Sequence, residues 1–230
     1  MNSDKNKKKF TSPEDQESFL RKLLEDDTAD NRILEWGGFL ALENRYWDIA
    51  ENIFSCLLER RKKVIDLFCL GNALMNQFKS KDAEECFLEA IRYISEPCFI
   101  LYKIHKYLGH IYVWDKNYPM AEEYYNKAYT LNPHSLSLQF HRGLLKIKEK
   151  NYKESENLFE KLVKTFPESK QAWLGLAISR YFLEDKEIAI GCLSRCLDLD
   201  PHYSKASYLK EKWTSYKKAS PIEDHFKFSI

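Results

Sequence analysis

Residues 108–133 read LGHIYVWDKNYPMAEEYYNKAYTLNP, and the spacing of small and bulky residues within this stretch predicts the fold. Gly109 and Ala121 lie 12 residues apart, and Tyr125 follows four residues after the alanine. Two helices joined by a short turn would bring the small residues together at a crossing, where the tyrosine ring fills the space beside them. Pro133 then ends the second helix, because proline lacks an N–H group and crowds the preceding turn.

The same columns of residues recur along the chain. The first small residues are Gly38, Gly71, Gly109, Gly143 and Ala177, and the second are Ala50, Ala83, Ala121, Ser155 and Ala189. Both series step by 33, 38, 34 and 34 residues. The bulky residues four positions later are Phe54, Phe87, Tyr125, Phe159 and Leu193. One helix pair cannot bury its apolar face alone, so the pattern predicts stacked pairs.

This pattern resembles the tetratricopeptide repeat. The matching residues are Leu108, Gly109, Tyr112, Ala121, Tyr125, Ala128 and Pro133 in one copy, Leu70, Gly71, Ala83, Phe87 and Ala90 in a second, and Trp173, Leu176, Ala177, Ala189 and Pro201 in a third. The resemblance covers about residues 31–203. It implies an all-α, right-handed superhelical solenoid of about five helix pairs with flanking N- and C-terminal helices.

The segments follow from these columns. We expect a disordered basic tail (1–11), an N-terminal helix (12–26), five repeats (31–63, 64–97, 98–135, 136–169 and 170–203), a capping helix (204–218) and a tail (219–230). Ser12 is suited to cap the N-terminal helix, with Pro13 at its first position. The third repeat has four extra residues near Pro97, close to one helical turn, so its first helix can lengthen while keeping its phase.

The fourth repeat departs from the family pattern. Gln139, Arg142 and Lys146 stand where the family has Trp, Leu and Tyr. We therefore expect the first helix of this repeat to be rotated or less tightly packed.

The composition excludes several classes of protein. Lys and Arg number 36 against 35 Asp and Glu, and the net charge of +1 argues against binding to nucleic acid or to an anionic membrane. Seven glycines and seven prolines are too few for a turn-rich β fold. No apolar run approaches the roughly 18 residues of a membrane span, and the polar N-terminus is unlike a signal peptide. The six cysteines form no CxxC pair, which favours reduced, mostly buried thiols in the cytoplasm.

The sequence contains no motif of a catalytic, metal or cofactor site. Apart from Gly37 and Gly38, the glycines lie at least 16 residues apart, which excludes the glycine-rich phosphate and nucleophile motifs. His105 and His110 lie on different helix faces, and Cys192 and Cys196 are expected in the core. Acidic pairs such as Glu122-Glu123 are expected to be solvated helix faces. We therefore predict a protein that is not an enzyme and has no cofactor.

Partner contacts are expected on the first helix of each repeat. The resemblance implies an inner surface formed by the fifth, ninth and twelfth position of each repeat. These residues are Glu35, Phe39, Leu42, Phe68, Asn72, Met75, Lys106, His110, Val113, Phe140, Leu144, Ile147, Leu174, Ile178 and Tyr181, with Trp114 beside them. In repeat 5 we expect Leu174, Ile178 and Tyr181 to be exposed, because Trp173 and Leu176 fill the core columns. In repeat 4 the sequence leaves two alternatives for the inner residues: they are exposed on the inner surface, or they are buried in the core.

The apolar inner surface leads to several functional hypotheses. The first is an adaptor that binds an apolar or amphipathic segment of another protein. The alternative is a secretion-type chaperone that keeps a hydrophobic client soluble. The resemblance implies that capture of a peptide carboxylate uses a clamp of two Asn, two Lys and one Arg from three consecutive repeats. Such capture is disfavoured here, because only Asn72 and Lys106 occupy positions of that clamp. The alternating Phe226, Phe228 and Ile230 of the tail permit self-association, and a metal or redox role of the cysteines is a third possibility.

Overall fold

The computed structural model describes Phe10 and residues 12–215, and the regular structure of these residues is entirely α-helical. The helices are α1 (Pro13–Glu25), α2 (Asn31–Glu43), α3 (Trp47–Arg60), α4 (Val64–Asn76), α5 (Ser80–Arg92), α6 (Phe99–Trp114), α7 (Tyr118–Leu131), α8 (Leu136–Lys148), α9 (Tyr152–Thr165), α10 (Lys170–Phe182), α11 (Lys186–Leu199) and α12 (Ser204–Ser215). The predicted all-α class is confirmed. Repeats 1 to 5 are the pairs α2–α3, α4–α5, α6–α7, α8–α9 and α10–α11.

The chain divides into two compact units, Met1–Ile104 and His105–Ile230, with the boundary inside α6. In unit 1, α2 packs on α3, α3 on α4, and α4 on α5. In unit 2, α8 packs on α9, α9 on α10, and α10 on α11, while α12 packs on α11. Within each unit, therefore, these successive helices pack on one another, as stacked pairs require.

Helix pairs are joined where a glycine of the first helix meets an aromatic ring of the second. A Cβ atom placed on Gly38 would lie 2.7 Å from Phe54 Cζ, and one placed on Gly71 would lie 2.6 Å from Phe87 Cε1. A Cβ atom placed on Gly109 would lie 2.3 Å from Tyr125 Cδ1, and one placed on Gly143 would lie 2.6 Å from Phe159 Cζ. All four rings are fully buried. The predicted role of these two columns is confirmed.

The turn inside each repeat has one conformation throughout. The second residue after the first helix adopts a positive φ of 59–69° in every repeat; these residues are Arg45, Phe78, Lys116, Lys150 and Glu184. The next backbone N–H then bonds to a carbonyl five residues earlier, as from Asn151 to Lys146 at 2.8 Å. This is the Schellman arrangement, which usually carries glycine. Glycine is absent from all five positions, so each turn holds an L-residue in a region disfavoured by about 1 kcal/mol.

Two predicted local features are confirmed. The Ser12 hydroxyl accepts a hydrogen bond from the Asp15 N–H at 3.2 Å, and Pro13 is the first residue of α1. Helix α6 has 16 residues where α2, α4, α8 and α10 each have 13, so it accommodates most of the insertion in repeat 3.

The chain ends are described only in part. Phe10 is half-buried against α1 and α2, which contradicts the disorder predicted for that residue. The rest of the predicted basic tail, the end of the predicted capping helix after Ser215 and the tail at 219–230 lie outside the described residues.

We expect Gly109→Ala to lower the free energy of unfolding by about 1–3 kcal/mol, because the added methyl group overlaps the buried Tyr125 ring. Gly191 is the matched control, since it is also helical but nothing lies within 4 Å of its Cβ position. Gly191→Ala should stabilise the protein by about 0.5–1 kcal/mol through helix propensity. Urea unfolding measures both. Equal effects of the two substitutions would contradict the packing role of Gly109.

Candidate partner-binding surface

The inner surface of unit 1 is partly accessible. Phe39 of α2 is 41% exposed, with its ring centroid 5.8 Å from that of the buried Phe54. Leu42 and Asn72 are half-buried, whereas Phe68 and Met75 are buried. Unit 1 therefore presents an apolar and polar surface centred on Phe39.

Glu35 also lies on this surface, but an ion-pair cluster holds its carboxylate. Arg61 bonds to Glu35 at 2.9 Å and, through Nε, to the fully buried Asp66 at 2.9 Å. The hydrogen bond to Asp66 is the main cause of a raised pKa at Arg61, so the guanidinium stays charged. Arg61 thus neutralises the acidic groups between α2 and α4.

In unit 2 the inner positions of repeats 4 and 5 other than Phe140 belong to the core. Leu174 is 4% exposed and Ile178 is fully buried, in an apolar cluster with Trp213 of α12. The Trp213 ring stacks on that of Tyr181, with centroids 4.0 Å apart and an interplanar angle of 11°. The expectation that repeat 5 exposes these side chains is wrong, because they lie in one apolar cluster with Trp213, whose ring covers Tyr181. Leu144 and Ile147 of repeat 4 are buried in the same cluster. Whether any of these residues contact a partner stays a prediction.

The remaining inner residues of unit 2 differ in their exposure to solvent. Lys106, Trp114 and Phe140 are half-buried, while His110 and Val113 are buried. The ring centroids of His110 and His141 lie 4.2 Å apart. Burial lowers the pKa of both imidazoles, that of His141 to about 4, so both are neutral at pH 7.

The departures in repeat 4 replace apolar contacts by polar ones. The Gln139 amide donates to the Pro133 carbonyl at 2.6 Å, as the Trp173 indole in repeat 5 donates to the Pro167 carbonyl at 2.8 Å. Lys146, only 7% exposed, pairs with three glutamates; they are Glu122 at 2.6 Å, Glu149 at 3.0 Å and Glu154 at 3.7 Å. Helix α8 also packs less extensively on α7 than α10 does on α9, as expected for a less apolar contact.

A column of glutamates links neighbouring repeats. Glu51, Glu122 and Glu156 each follow a residue of the second small-residue column, and each pairs with a side chain of the helix that begins the next repeat or of its turn. Glu51 binds Gln77 and Lys79 at 2.7 Å, Glu122 binds Lys146 at 2.6 Å, and Glu156 binds Arg180 at 2.5 Å. The Glu122 side chain is 40% exposed, as expected of a solvated helix face, but it also pairs with Lys146. The sequence analysis missed this column, although its glutamates follow the period of the small residues.

The described residues contain no group of three or more His, Cys, Asp or Glu side chains placed to hold a metal ion. Cys69, Cys192 and Cys196 are buried, Cys56 and Cys86 are half-buried, and Cys98 is exposed. Burial raises the pKa of Cys192 to about 11 and that of Cys196 to about 12, so both thiols are protonated at neutral pH. Helices that are long and apolar enough to cross a bilayer are absent from the part of the chain that the structure describes.

Comparisons with known proteins identify the repeat. Two family models, both described as tetratricopeptide repeat, match residues 108–135 and 137–169. No curated protein sequence matches the chain. Solved structures show the same all-α repeat fold. YrrB, described as a tetratricopeptide repeat protein with an unusual peptide-binding site, is 20% identical with a TM-score of 0.62, over 84% of this chain and 97% of that one.

Two further structures are similar. A tetratricopeptide repeat protein from Parabacteroides merdae has a TM-score of 0.66 and 19% identity, over 80% of this chain and 72% of its own. MamA from Desulfovibrio magneticus RS-1 has a TM-score of 0.57 and 20% identity, over 67% of this chain and 85% of its own. Identities this low establish the fold alone.

We expect acid to destabilise the protein through His141. The unfolded state binds a proton near pH 6.5 but the folded state only near pH 4, so stability is lost as pH falls through that window. By pH 5 the loss from this one group is about 2 kcal/mol. Lys106 is the charged group acting on this ring, and it also disfavours protonation. Urea unfolding of the wild type and of His141→Phe at pH 7 and pH 5 measures the difference; equal pH sensitivity would contradict the assignment.

We expect Arg180→Leu to destabilise the protein by about 1–3 kcal/mol, because it removes the less exposed of the two cations that pair with the buried Glu156. The other cation, Lys153, lies 2.6 Å from the Glu156 carboxylate and stays in place. Lys127→Ala is the control, since its pair with Glu123 is exposed and is worth at most about 0.5 kcal/mol. Thermal unfolding followed by circular dichroism compares the two. A similar small loss for both would show that the glutamate column does not stabilise the contact between repeats.

Proposed function

Because the chain is a tetratricopeptide repeat protein, we propose that it is a non-enzymatic adaptor, which holds an apolar or amphipathic segment of another protein on its inner surface. Tetratricopeptide repeats are protein–protein interaction modules. The peptide-binding site by which YrrB is described supports a segment, rather than a whole folded domain, as the ligand. The free cysteines, half of them buried, support a reducing compartment such as the cytoplasm.

The main support for this proposal is the exposed apolar face of α2. Ile33, Trp36 and Phe39 are 48%, 37% and 41% exposed and follow one another at three-residue intervals. Three large apolar side chains on one face of a helix form a contiguous patch, and such patches on water-soluble domains mark binding sites. Aromatic anchors are also the side chains that contribute most to protein interfaces.

We propose that the partner segment binds to unit 1. Phe39, Leu42 and Asn72 supply apolar contact and one side-chain amide, which can bond to the backbone of an extended or helical ligand. In unit 2, contacts of the same kind are available from the half-buried Lys106, Trp114 and Phe140. A contribution from Leu174 or Ile178 would require the core around α12 to open.

Phe39→Glu tests this proposal. Affinity purification from native lysate should recover a specific partner with the wild type and lose at least about 90% of it with Phe39→Glu, because a buried interfacial charge costs more than 1.4 kcal/mol. Ile188→Glu is the matched control, since Ile188 is 51% exposed on α11. It should retain the partner. Circular dichroism confirms folding of each variant.

Retention of the partner by folded Phe39→Glu would contradict the proposed surface. A stable stoichiometric complex supports the adaptor, whereas release of a single hydrophobic client would indicate the chaperone alternative. Deletion of residues 219–230 tests self-association, which we propose only as an additional use of the tail. An oligomer size that is unchanged by the deletion would contradict self-association through the tail.

A further inference from the structure

Phe10 lies ahead of α1 and makes aromatic contacts with two helices. Its ring centroid is 5.5 Å from that of Phe19 of α1 and 6.3 Å from that of Trp36 of α2. The planes of Phe10 and Trp36 are nearly parallel, at 13°. Phe19 and Trp36 meet edge to face at 5.8 Å, so the three rings form one cluster. We call the Phe19 and Trp36 rings, with the neighbouring Ile33 and Phe39, the α1–α2 aromatic surface.

The local backbone directs Phe10 towards this surface. Ser12 is extended, with φ −151° and ψ 165°, and its side chain caps α1. The Tyr46 hydroxyl donates to the Pro13 carbonyl at 3.1 Å, which fixes the start of α1 against the turn of repeat 1. Phe10 itself is not helical. The α1–α2 aromatic surface therefore accepts the Phe10 ring from the chain just ahead of α1.

Phe10 covers only part of the surface. Trp36 remains 37% exposed, and Phe39, one helical turn further along α2, remains 41% exposed. A single aromatic residue with exposed neighbours makes a weak contact, but a short tether raises its effective concentration and keeps the contact formed. The same weakness lets a tighter ligand replace it.

We propose that the α1–α2 aromatic surface is a binding site for a phenylalanine of a non-helical segment, and that its occupant is this chain's own Phe10. Phe10 then competes with a partner segment that binds to the part of the inner surface next to Phe39. The self-contact is independent of any partner; its role as a competitor rests on the proposed function. A partner that places an aromatic ring on Trp36 must first displace Phe10.

The experiment uses a fluorescent synthetic peptide of residues 2–12, NSDKNKKKFTS, and the full-length protein. The Phe10→Ala variant has a vacant site, whereas in the wild type the tethered Phe10 competes. We expect the peptide to bind Phe10→Ala at least ~10-fold more tightly than the wild type, as measured by fluorescence anisotropy. Phe10→Ala should fold as the wild type does, because the residue is only half-buried.

Two controls separate stacking from charge. A peptide with alanine in place of its phenylalanine keeps every lysine, and it should bind neither protein. Trp36→Leu in the Phe10→Ala protein keeps an apolar side chain but removes the stacking plane, and it should abolish binding. Equal binding of the peptide to wild type and Phe10→Ala, or no binding to Phe10→Ala, would overturn the proposal.

The same variants separate this inference from the proposed function. If Phe39→Glu retains the lysate partner while the peptide still binds Phe10→Ala, the proposed function fails and the self-contact stands. If Phe39→Glu loses the partner while the peptide does not bind, the proposed function stands and the competitor fails.

Discussion

The close approach of two helices at a glycine, filled by a buried aromatic ring, is the contact on which the rest of the structure depends. At Gly38, Gly71, Gly109 and Gly143 the distance is too short for a methyl group, so each first helix is held at one position on its partner. This contact sets where the inner face of each first helix lies and where the next repeat must pack. In repeat 5 the column continues as Ala177, but Gly175 still lies against Phe159 of repeat 4, so the ring is shared between neighbouring repeats.

Polar contacts complete the stacking where the apolar pattern weakens. Gln139 preserves the hydrogen bond that Trp173 makes in the next repeat, and Lys146 replaces an aromatic residue by a cluster of ion pairs. Buried ion pairs stabilise less than apolar packing of equal volume, but they tolerate little displacement, because an unpaired buried charge is costly. The glutamates therefore help to fix repeat 1 on repeat 2 in unit 1, and repeat 3 on repeat 4 and repeat 4 on repeat 5 in unit 2.

The sequence sufficed to predict the helix pairs, the two small-residue columns and the cap at Ser12, because each depends on local spacing. It did not predict which inner residues are accessible, since that depends on what packs over them. Trp213 lies outside the repeated pattern, yet its ring covers Tyr181. The sequence also did not predict the positive φ of the turn residues. This φ is set by the Schellman hydrogen bond, and a residue type such as that of Phe78 or Glu184 does not indicate it. The inner surface is thus accessible around Phe39 in unit 1 and closed around Ile178 in unit 2.

The most direct test of this account is the rate at which a maleimide labels a cysteine placed at each of these two positions. Phe39→Cys and Ile178→Cys would each be made in a Cys98→Ser background, which removes the exposed native thiol. The account predicts that the cysteine at position 39 reacts in the folded protein as fast as Cys98 does, and that the cysteine at position 178 reacts only after unfolding. Comparable rates at the two positions in folded protein would contradict it.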